Sequence, residues 1–188
     1  MGAVSKDLTA RGVSARELLA PGAAVLGGGA GGKPELAISG GPDADRLIDM
    51  ITCRDLTTCA VKQGKYMIVT SPDGGIVNDP VLLHVAENTW WMQLADSDAG
   101  LYAMGVAASS GLDVDVTFPD VHPMQVQGPL SAKTLEKLVG PSIYDIKYYW
   151  VDEFEIHGIP VFISRTGWTA VPGFEVNLLD GSKGDELW

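Results

Sequence analysis

The sequence predicts an α+β protein with a mainly antiparallel sheet and flanking helices. Runs of apolar or alternating residues of strand length recur along the chain, and turn signals such as Asp73-Gly74 and His157-Gly158 join them into hairpins. Helical patterns occur between groups of strands, whereas a parallel sheet would need one after every strand. A chain of 188 residues, 46% of them hydrophobic, is long enough to bury a full core.

Residues 1–34 differ in composition from the rest and form a separate, atypical segment in the predicted domain organisation. They are rich in Gly and Ala, end in GGGAGGKP, and allow at most a short helix around residues 14–19. Gly27, Gly32 and Lys33 match most of a phosphate-binding loop. Pro34 occupies the position where that loop needs a hydroxyl for magnesium, so the pattern favours a flexible lead over nucleotide binding.

From residue 35 the pattern becomes regular, and its first part predicts a strand, a helix, a hairpin and a third strand. These elements are residues 36–38, a helix through Leu47, Ile48 and Ile51, the hairpin strands 62–70 and 76–85, and residues 88–94. Asp79 interrupts the apolar second strand of the hairpin. A charge there has to be solvated, paired or in contact with a ligand.

The second part predicts a helix whose N-cap cluster is Ala95-Asp96-Ser97-Asp98. The core face of this helix is assigned to Leu101, Met104, Gly105 and Ala108, and its end to Gly111. The later elements are strand 112–118, a turn that leads into residues 124–129, a helix over Ser131–Val139 capped by Ser131, the hairpin strands 148–156 and 159–165, strand 174–179, and a helix opening at 184–188. That last helix is unfinished, which suggests a truncated protein.

Composition excludes several classes of function. A net charge of -11 with a pI near 4.5 argues against nucleic-acid binding, which requires a basic surface. No apolar run reaches the ~20 residues that span a bilayer, and the N-terminus lacks an apolar signal core, so we expect no membrane segment and a cytoplasmic location. The spacing of Cys53 and Cys59 fits neither zinc nor redox motifs, and the three histidines share no metal-ligand spacing, so no metal site is predicted.

Three short motifs occur in order along residues 35–188. They are GGIVND at residues 74–79, VQGP at 126–129, and SRTGW at 164–168 followed by GFE at 173–175. In order and spacing they resemble the aminomethyltransferase family, the folate-dependent proteins that include the glycine-cleavage T-protein. The resemblance implies the folate-binding fold of that family without its C-terminal domain, and tetrahydrofolate as the cofactor.

Details within the motifs are similar to the demethylase branch, which acts on dimethylsulfoniopropionate or methoxylated aromatic acids. They are Asn78-Asp79-Pro80, the run at residues 95–98, residues 147–150 and Thr166-Gly167-Trp168. The resemblance implies methyl transfer from a small organic donor to tetrahydrofolate. The unfinished helix at Trp188 suggests that a homo-oligomer or a second chain completes the fold. Two alternatives stay open: the glycine-cleavage aminomethyltransferase role, and a non-catalytic folate-binding or assembly module.

The resemblance also assigns candidate site residues. Glu175 corresponds to the glutamate that binds the pterin, whose amino group and ring N–H suit one carboxylate. Asp79 is the catalytic candidate, placed near the reactive nitrogens, where it stabilises positive charge. Trp168 is expected to stack on the ligand. Arg165 pairs with a ligand carboxylate or with one of these two acids, and Gln127 either contacts the cofactor or stabilises a turn.

The methyl donor cannot be chosen from the sequence. A sulfonium leaves as a neutral thioether and needs no acid, whereas an aryl methyl ether leaves as a phenolate and benefits from a proton donor such as Tyr148 or Tyr149. Tyr66, Trp90 and Trp91 are further candidates for stacking, although such residues more often belong to the core.

Overall fold

The structure is a computed structural model that describes residues 36–94 and 98–188, with side chains from Gly40 onward. The Gly/Ala-rich lead at residues 1–34 and most of the predicted N-cap cluster at 95–98 lie outside the described residues. Within them, every strand pair is antiparallel and helices flank the sheets, so the predicted α+β class is confirmed.

The described strands form a five-stranded sheet of order β2-β5-β6-β1-β7, a four-stranded sheet of order β8-β11-β10-β9, and a two-stranded ladder of β3 and β4. The strands are β1 (Leu36–Gly40), β2 (Gly64–Tyr66), β3 (Val69–Thr70), β4 (Ile76–Asn78), β5 (Val81–Ala86), β6 (Thr89–Gln93), β7 (Asp115–Thr117), β8 (His122–Gln127), β9 (Val151–Ile156), β10 (Ile159–Ser164) and β11 (Gly173–Leu178). The α-helices are α1 (Ala44–Ile51), α2 (Ala99–Ser110), α3 (Ser131–Val139) and α4 (Gly184–Leu187), with 3-10 turns at Pro141–Asp145 and Gly181–Lys183.

The five-stranded sheet shares a core with α1 and α2. The predicted apolar stripe of α1 is confirmed, because Leu47, Ile48 and Ile51 are fully buried. They pack into one cluster with Leu82 and Trp90 from the sheet. Fully burying an aliphatic side chain stabilises a fold by about 1.5–3 kcal/mol, so this stripe holds α1 in place.

The four-stranded sheet has its own core with α3 and the 3-10 turn that follows it, including the buried residues Ile143, Ile163 and Phe174. Its β9–β10 hairpin turns at His157 and Gly158, which have φ of 51° and 82°. Two consecutive positive φ angles are typical of the type I′ turn that matches strand twist. The predicted hairpin across these two residues is therefore confirmed.

The central hairpin turns at Asp73-Gly74, but its two long predicted strands are wrong. Each is broken, so that β3 pairs with β4 near the turn and β2 pairs with β5 in the large sheet. Pro80 has no N–H for a ladder bond, and its carbonyl accepts from Met67 N at 3.0 Å. Asp79 therefore lies at the break between the two ladders.

Two helix predictions also need correction. The buried face of α2 consists of Ala99, Gly100, Ala103 and Ala107, while Leu101 is 47% exposed. The predicted face was wrong because α2 is apolar nearly all round, so its composition does not select a side. Ser131 does not cap α3: Leu130 holds the N-cap position, and Ser131 Oγ donates instead to the Pro172 carbonyl at 3.4 Å.

Backbone bonds join the two larger sheets. Gly64 N donates to the Tyr149 carbonyl at 2.6 Å, and Val151 N donates to the Lys62 carbonyl at 2.9 Å. The Lys62 ammonium also pairs with the Asp152 carboxylate at 2.6 Å. This junction brings the start of β2 beside the start of β9, so residues of both sheets can line one cleft.

Candidate functional site

A cleft of about 850 Å³ lies where residues of the two larger sheets face each other. It contains two carboxylates and several aromatic rings, and none of its described lining residues is Lys, Arg or His. The lining residues are Tyr66, Asp79, Val81, Gln93, Leu94, Pro123, Gln125, Tyr149, Gly167, Trp168 and Glu175. The cleft therefore brings three of the five predicted site residues together: Asp79, Trp168 and Glu175.

Glu175 is the buried acid of the cleft, with 8% of its surface exposed on β11. Its Oε1 accepts from Gln125 Nε2 at 3.2 Å, and its Oε2 accepts from Thr166 Oγ1. Thr166 is held in turn by Ser164, whose Oγ lies 2.7 Å from Thr166 Oγ1. Neutral donors thus fix the carboxylate. A carboxylate has about four acceptor positions, so two remain for a ligand.

Asp79 is the exposed acid of the cleft. Tyr66 Oη donates to its Oδ2 at 2.7 Å. This bond raises the pKa of Tyr66, because it stabilises the protonated phenol beside a carboxylate. The hairpin break sets up the contact, since Tyr66 ends β2 just before the break and Asp79 lies within it. One oxygen of Asp79 is oriented by the phenol, and the carboxylate stays open to the cleft.

Aromatic rings supply the flat surfaces of the cleft. Trp168 is 83% exposed and Tyr66 42% exposed, whereas Tyr149 is half-buried. Burial raises the pKa of Tyr149, and the neighbouring Tyr148 ring, edge-on at 4.7 Å between centroids, adds to the rise. Of the two tyrosines proposed as proton donors, only Tyr149 lines the cleft.

Arg165 lies outside the cleft lining. Its Nη1 donates to the Ile146 carbonyl at 3.1 Å, and its guanidinium lies 5.9 Å from the centre of the Phe174 ring. Within the described residues it forms no ion pair with Asp79 or Glu175, so that alternative is wrong. Arg165 instead ties β10 to the loop before β9.

Gln127 also lies outside the lining, and its amide is used within the chain. Its Nε2 donates to the carbonyls of Thr166 at 3.3 Å and Phe174 at 3.2 Å. Its Oε1 accepts from Thr169 Oγ1 at 3.1 Å. These bonds match the stabilising role that the sequence left open beside cofactor contact.

Both Trp90 and Trp91 belong to the core. Trp90 stacks on His84 at 3.9 Å and donates to Asp45 Oδ1 at 2.6 Å, while Trp91 meets Phe162 edge-on.

Cys53 is exposed and Cys59 buried, and both are free. In residues 36–94 and 98–188, no group of three or more His, Cys, Asp or Glu is arranged to hold a metal ion. None of the helices in these described residues has the length and hydrophobicity that a membrane span requires.

Comparison with known proteins settles the family. Residues 35–188 match the sequence profile of the GCVT N-terminal domain. The chain belongs to this family. Dimethylsulfoniopropionate demethylase DmdA of Ruegeria pomeroyi is 34% identical over 79% of this chain and 41% of the relative. The heme-dependent oxidative N-demethylase gamma subunit of Ectopseudomonas mendocina is 30% identical over 72% of this chain and 36% of the relative.

The GCVT N-terminal domain fold is also present in a solved structure, the glycine cleavage system aminomethyltransferase T from Bartonella henselae. The TM-score is 0.70 at 22% identity, over 81% of this chain and 41% of that one. The family match confirms the resemblance to aminomethyltransferases predicted from the three motifs. The chain spans less than half the length of these relatives.

The sequence did not predict the roles of two contributors to the cleft of this GCVT N-terminal domain, Gln125 and Thr166, or the place of a third, Tyr149. Gln125 lies directly opposite Glu175 in the β8–β11 register, a pairing that appears only once the strands are aligned. Thr166 lies inside the SRTGW motif but was noted only as part of the pattern. The sequence indicates Tyr149 as a candidate proton donor but does not predict that it lines the cleft. Its φ of 59° is uncommon for a non-glycine residue and gives no signal in the sequence.

Proposed function

We propose that this GCVT N-terminal domain binds tetrahydrofolate and forms the cofactor-binding part of a methyltransferase that takes a methyl group from a small organic donor. Members of the family are tetrahydrofolate-dependent. The main support is Glu175, a buried carboxylate held by neutral donors and facing a cleft that also contains Asp79. Burying a carboxylate without a cation costs free energy. A ligand that donates hydrogen bonds to it offsets part of that cost.

The chemistry of the cleft fits a reduced pterin. The pterin edge presents an amino group and a ring N–H, which are two parallel donors. Glu175 has two acceptor positions left after its bonds to Gln125 and Thr166. Trp168 and Tyr149 offer flat faces for an aromatic ring.

The residues would have separate tasks. Glu175 holds and orients the pterin edge, and Trp168 covers a ring face. When bound, tetrahydrofolate supplies the nucleophilic nitrogen that accepts the methyl group. Asp79 stabilises positive charge near that nitrogen, with its carboxylate oriented by Tyr66.

We infer a cationic methyl donor, such as a sulfonium. The described lining has two carboxylates and no basic side chain, which favours a positively charged methyl group over a neutral methyl ether beside them. Aromatic faces also attract onium groups. The similarity to a dimethylsulfoniopropionate demethylase supports the same choice. A sulfonium releases a neutral thioether, so Tyr149 need not act as an acid.

We propose that a partner completes the fold, either a different chain or a second copy of this one. One relative is named as a gamma subunit, and this chain spans 36% of it. A cytoplasmic location also stays a prediction from the sequence.

Calorimetric titration of the chain with tetrahydrofolate tests the proposal. The unmodified chain should bind, and Glu175→Gln should bind at least about tenfold more weakly, because an amide accepts fewer bonds and carries no charge. Glu155→Gln is the matched control, since Glu155 is exposed on β9 outside the cleft. Equal affinity in the Glu175→Gln variant and the unmodified chain would contradict the proposal.

A methyl-transfer assay separates the alternatives. Transfer from a sulfonium to tetrahydrofolate supports the demethylase function. Transfer stimulated by a lipoyl carrier protein, with no response to free methyl donors, would indicate the glycine-cleavage function. Binding with neither activity would indicate a folate-binding module.

A further inference from the structure

We propose that Gln127 is a positioning residue that fixes Trp168 at the rim of the cleft relative to Glu175. The inference rests on the proposed function only for the identity of the ligand. It assigns Gln127 no contact with that ligand. The proposal is based on the three hydrogen bonds of the Gln127 amide and on the two glycines against which that amide packs.

The hydrogen bonds of Gln127 hold both sides of Trp168. Nε2 donates to the Thr166 carbonyl at 3.3 Å, and Oε1 accepts from Thr169 Oγ1 at 3.1 Å. The chain between these two points is only Gly167 and Trp168. A loop tied immediately before and after one exposed aromatic residue restricts the directions in which that residue can extend.

The same amide reaches the strand of the buried acid. Nε2 also donates to the Phe174 carbonyl at 3.2 Å, one residue before Glu175. Both acceptors of Nε2 are carbonyls and the partner of Oε1 is a hydroxyl, so the orientation of the amide is determined by its partners. One side chain thus joins the loop of Trp168 to the strand of Glu175.

Two glycines provide the space for this amide. Gly173 lies opposite Gln127 in the β8–β11 register, and side chains of such pairs share one face of the sheet. A Cβ on Gly173 would overlap the end of the Gln127 side chain, so the amide would have to move away from its three hydrogen-bond partners. A Cβ on Gly167 would overlap the same amide, and Gly167 has a φ of 152° as well. The glycines of the TGW and GFE motifs are therefore both needed to leave space for the Gln127 amide.

Trp168 gains little from burial, because 83% of its surface is exposed. Its position must come from the backbone of its loop, and in the described structure the Gln127 amide makes three side-chain bonds at that loop and the adjoining strand. Losing Gln127 should free the ring while leaving both sheet cores intact.

The first test is spectroscopic and needs no ligand. The signal of Trp168 is the difference in fluorescence anisotropy and acrylamide quenching between the chain and its Trp168→Phe variant. Gln127→Ala should lower the anisotropy of this difference signal and raise its quenching, with the other tryptophans unchanged. An unchanged Trp168 signal would overturn the proposal.

The second test uses compensation between Gly173 and Gln127. Gly173→Ala should destabilise the chain, and Gln127→Ala added to it should restore part of the loss by removing the overlapping side chain. Gly105→Ala is the control, because a Cβ there meets no atom within 4 Å. Additive losses in the double variant would overturn the proposal.

The third test connects positioning with binding. Gln127→Ala should weaken tetrahydrofolate binding by about tenfold in the unmodified chain and have no further effect in a Trp168→Ala background. An equal weakening in both backgrounds would mean that Gln127 acts other than through Trp168. If the unmodified chain does not bind tetrahydrofolate, the proposed function fails, while the first two tests still decide the role of Gln127.

Discussion

Tyr66 Oη donates a hydrogen bond to Asp79 Oδ2 over 2.7 Å, although the two residues lie 13 positions apart along the chain. The two residues lie on opposite arms of the Asp73-Gly74 hairpin. Nearer the turn β3 pairs with β4, and beyond the break β2 pairs with β5. Asp79 is thereby oriented at the edge of the cleft that also contains Glu175.

Replacing Asp79 should change the titration of Tyr66. The bond raises the pKa of Tyr66, so the phenol keeps its proton to higher pH in the folded chain. The stabilising effect of that proton is complete below the ordinary tyrosine pKa of about 10 and is lost as pH rises through the folded value. Asp79→Asn should lower the Tyr66 pKa.

The measurement is an alkaline titration by NMR of the labelled tyrosine Cζ, assigned with Tyr66→Phe. Asp115→Asn on β7 serves as the control for removing one exposed carboxylate. A Tyr66 titration that is the same in the Asp79→Asn variant and in the unmodified chain would show that the bond does not exist in solution.

Asp79→Ala should strongly reduce methyl transfer and leave folding intact. The side chain is exposed, so its loss removes little packing. Losing one group that stabilises charge in a transition state lowers turnover by about 10²–10³-fold. Transfer of a labelled methyl group to tetrahydrofolate and a urea melt measure the two quantities, and Asp115→Ala is the control. Retained turnover would remove Asp79 from the catalytic assignment.

The fold was largely predictable where local chemistry determines it. The apolar stripe of α1 and the His157-Gly158 turn are local patterns, and each was predicted correctly. The continuous strands around Asp73-Gly74 were not, because a break at Pro80 depends on which strand pairs with which. The buried face of α2 was unpredictable for a related reason, since its sequence is apolar on every side.

The site was predictable only as far as its motifs reach. Asp79, Trp168 and Glu175 share the cleft, yet nothing local to Gln127 indicates that its partners lie 39 and 47 residues further on. The positive charge of Arg165 suggested an ion pair. The structure has instead a hydrogen bond from Arg165 to the Ile146 carbonyl, which the sequence does not indicate.

Thr166→Val should destabilise the domain. It removes the hydroxyl that donates to Glu175 Oε2 while keeping nearly the same volume. Leaving a buried acceptor short of a donor costs about 1–3 kcal/mol, which a urea denaturation curve measures. Thr117→Val is the control, because Thr117 is exposed on β7. Equal stability of both variants would mean that Glu175 does not depend on Thr166.

The most direct test of the central claim is carbon NMR of the chain labelled at its Asp and Glu carboxyl carbons, recorded with and without tetrahydrofolate. Glu175→Gln and Asp79→Asn assign the two signals. We expect both signals to shift on binding, with Glu155 and Asp115 unchanged, since only Asp79 and Glu175 of these four line the cleft. Saturating tetrahydrofolate that leaves the Glu175 and Asp79 signals in place would contradict the account.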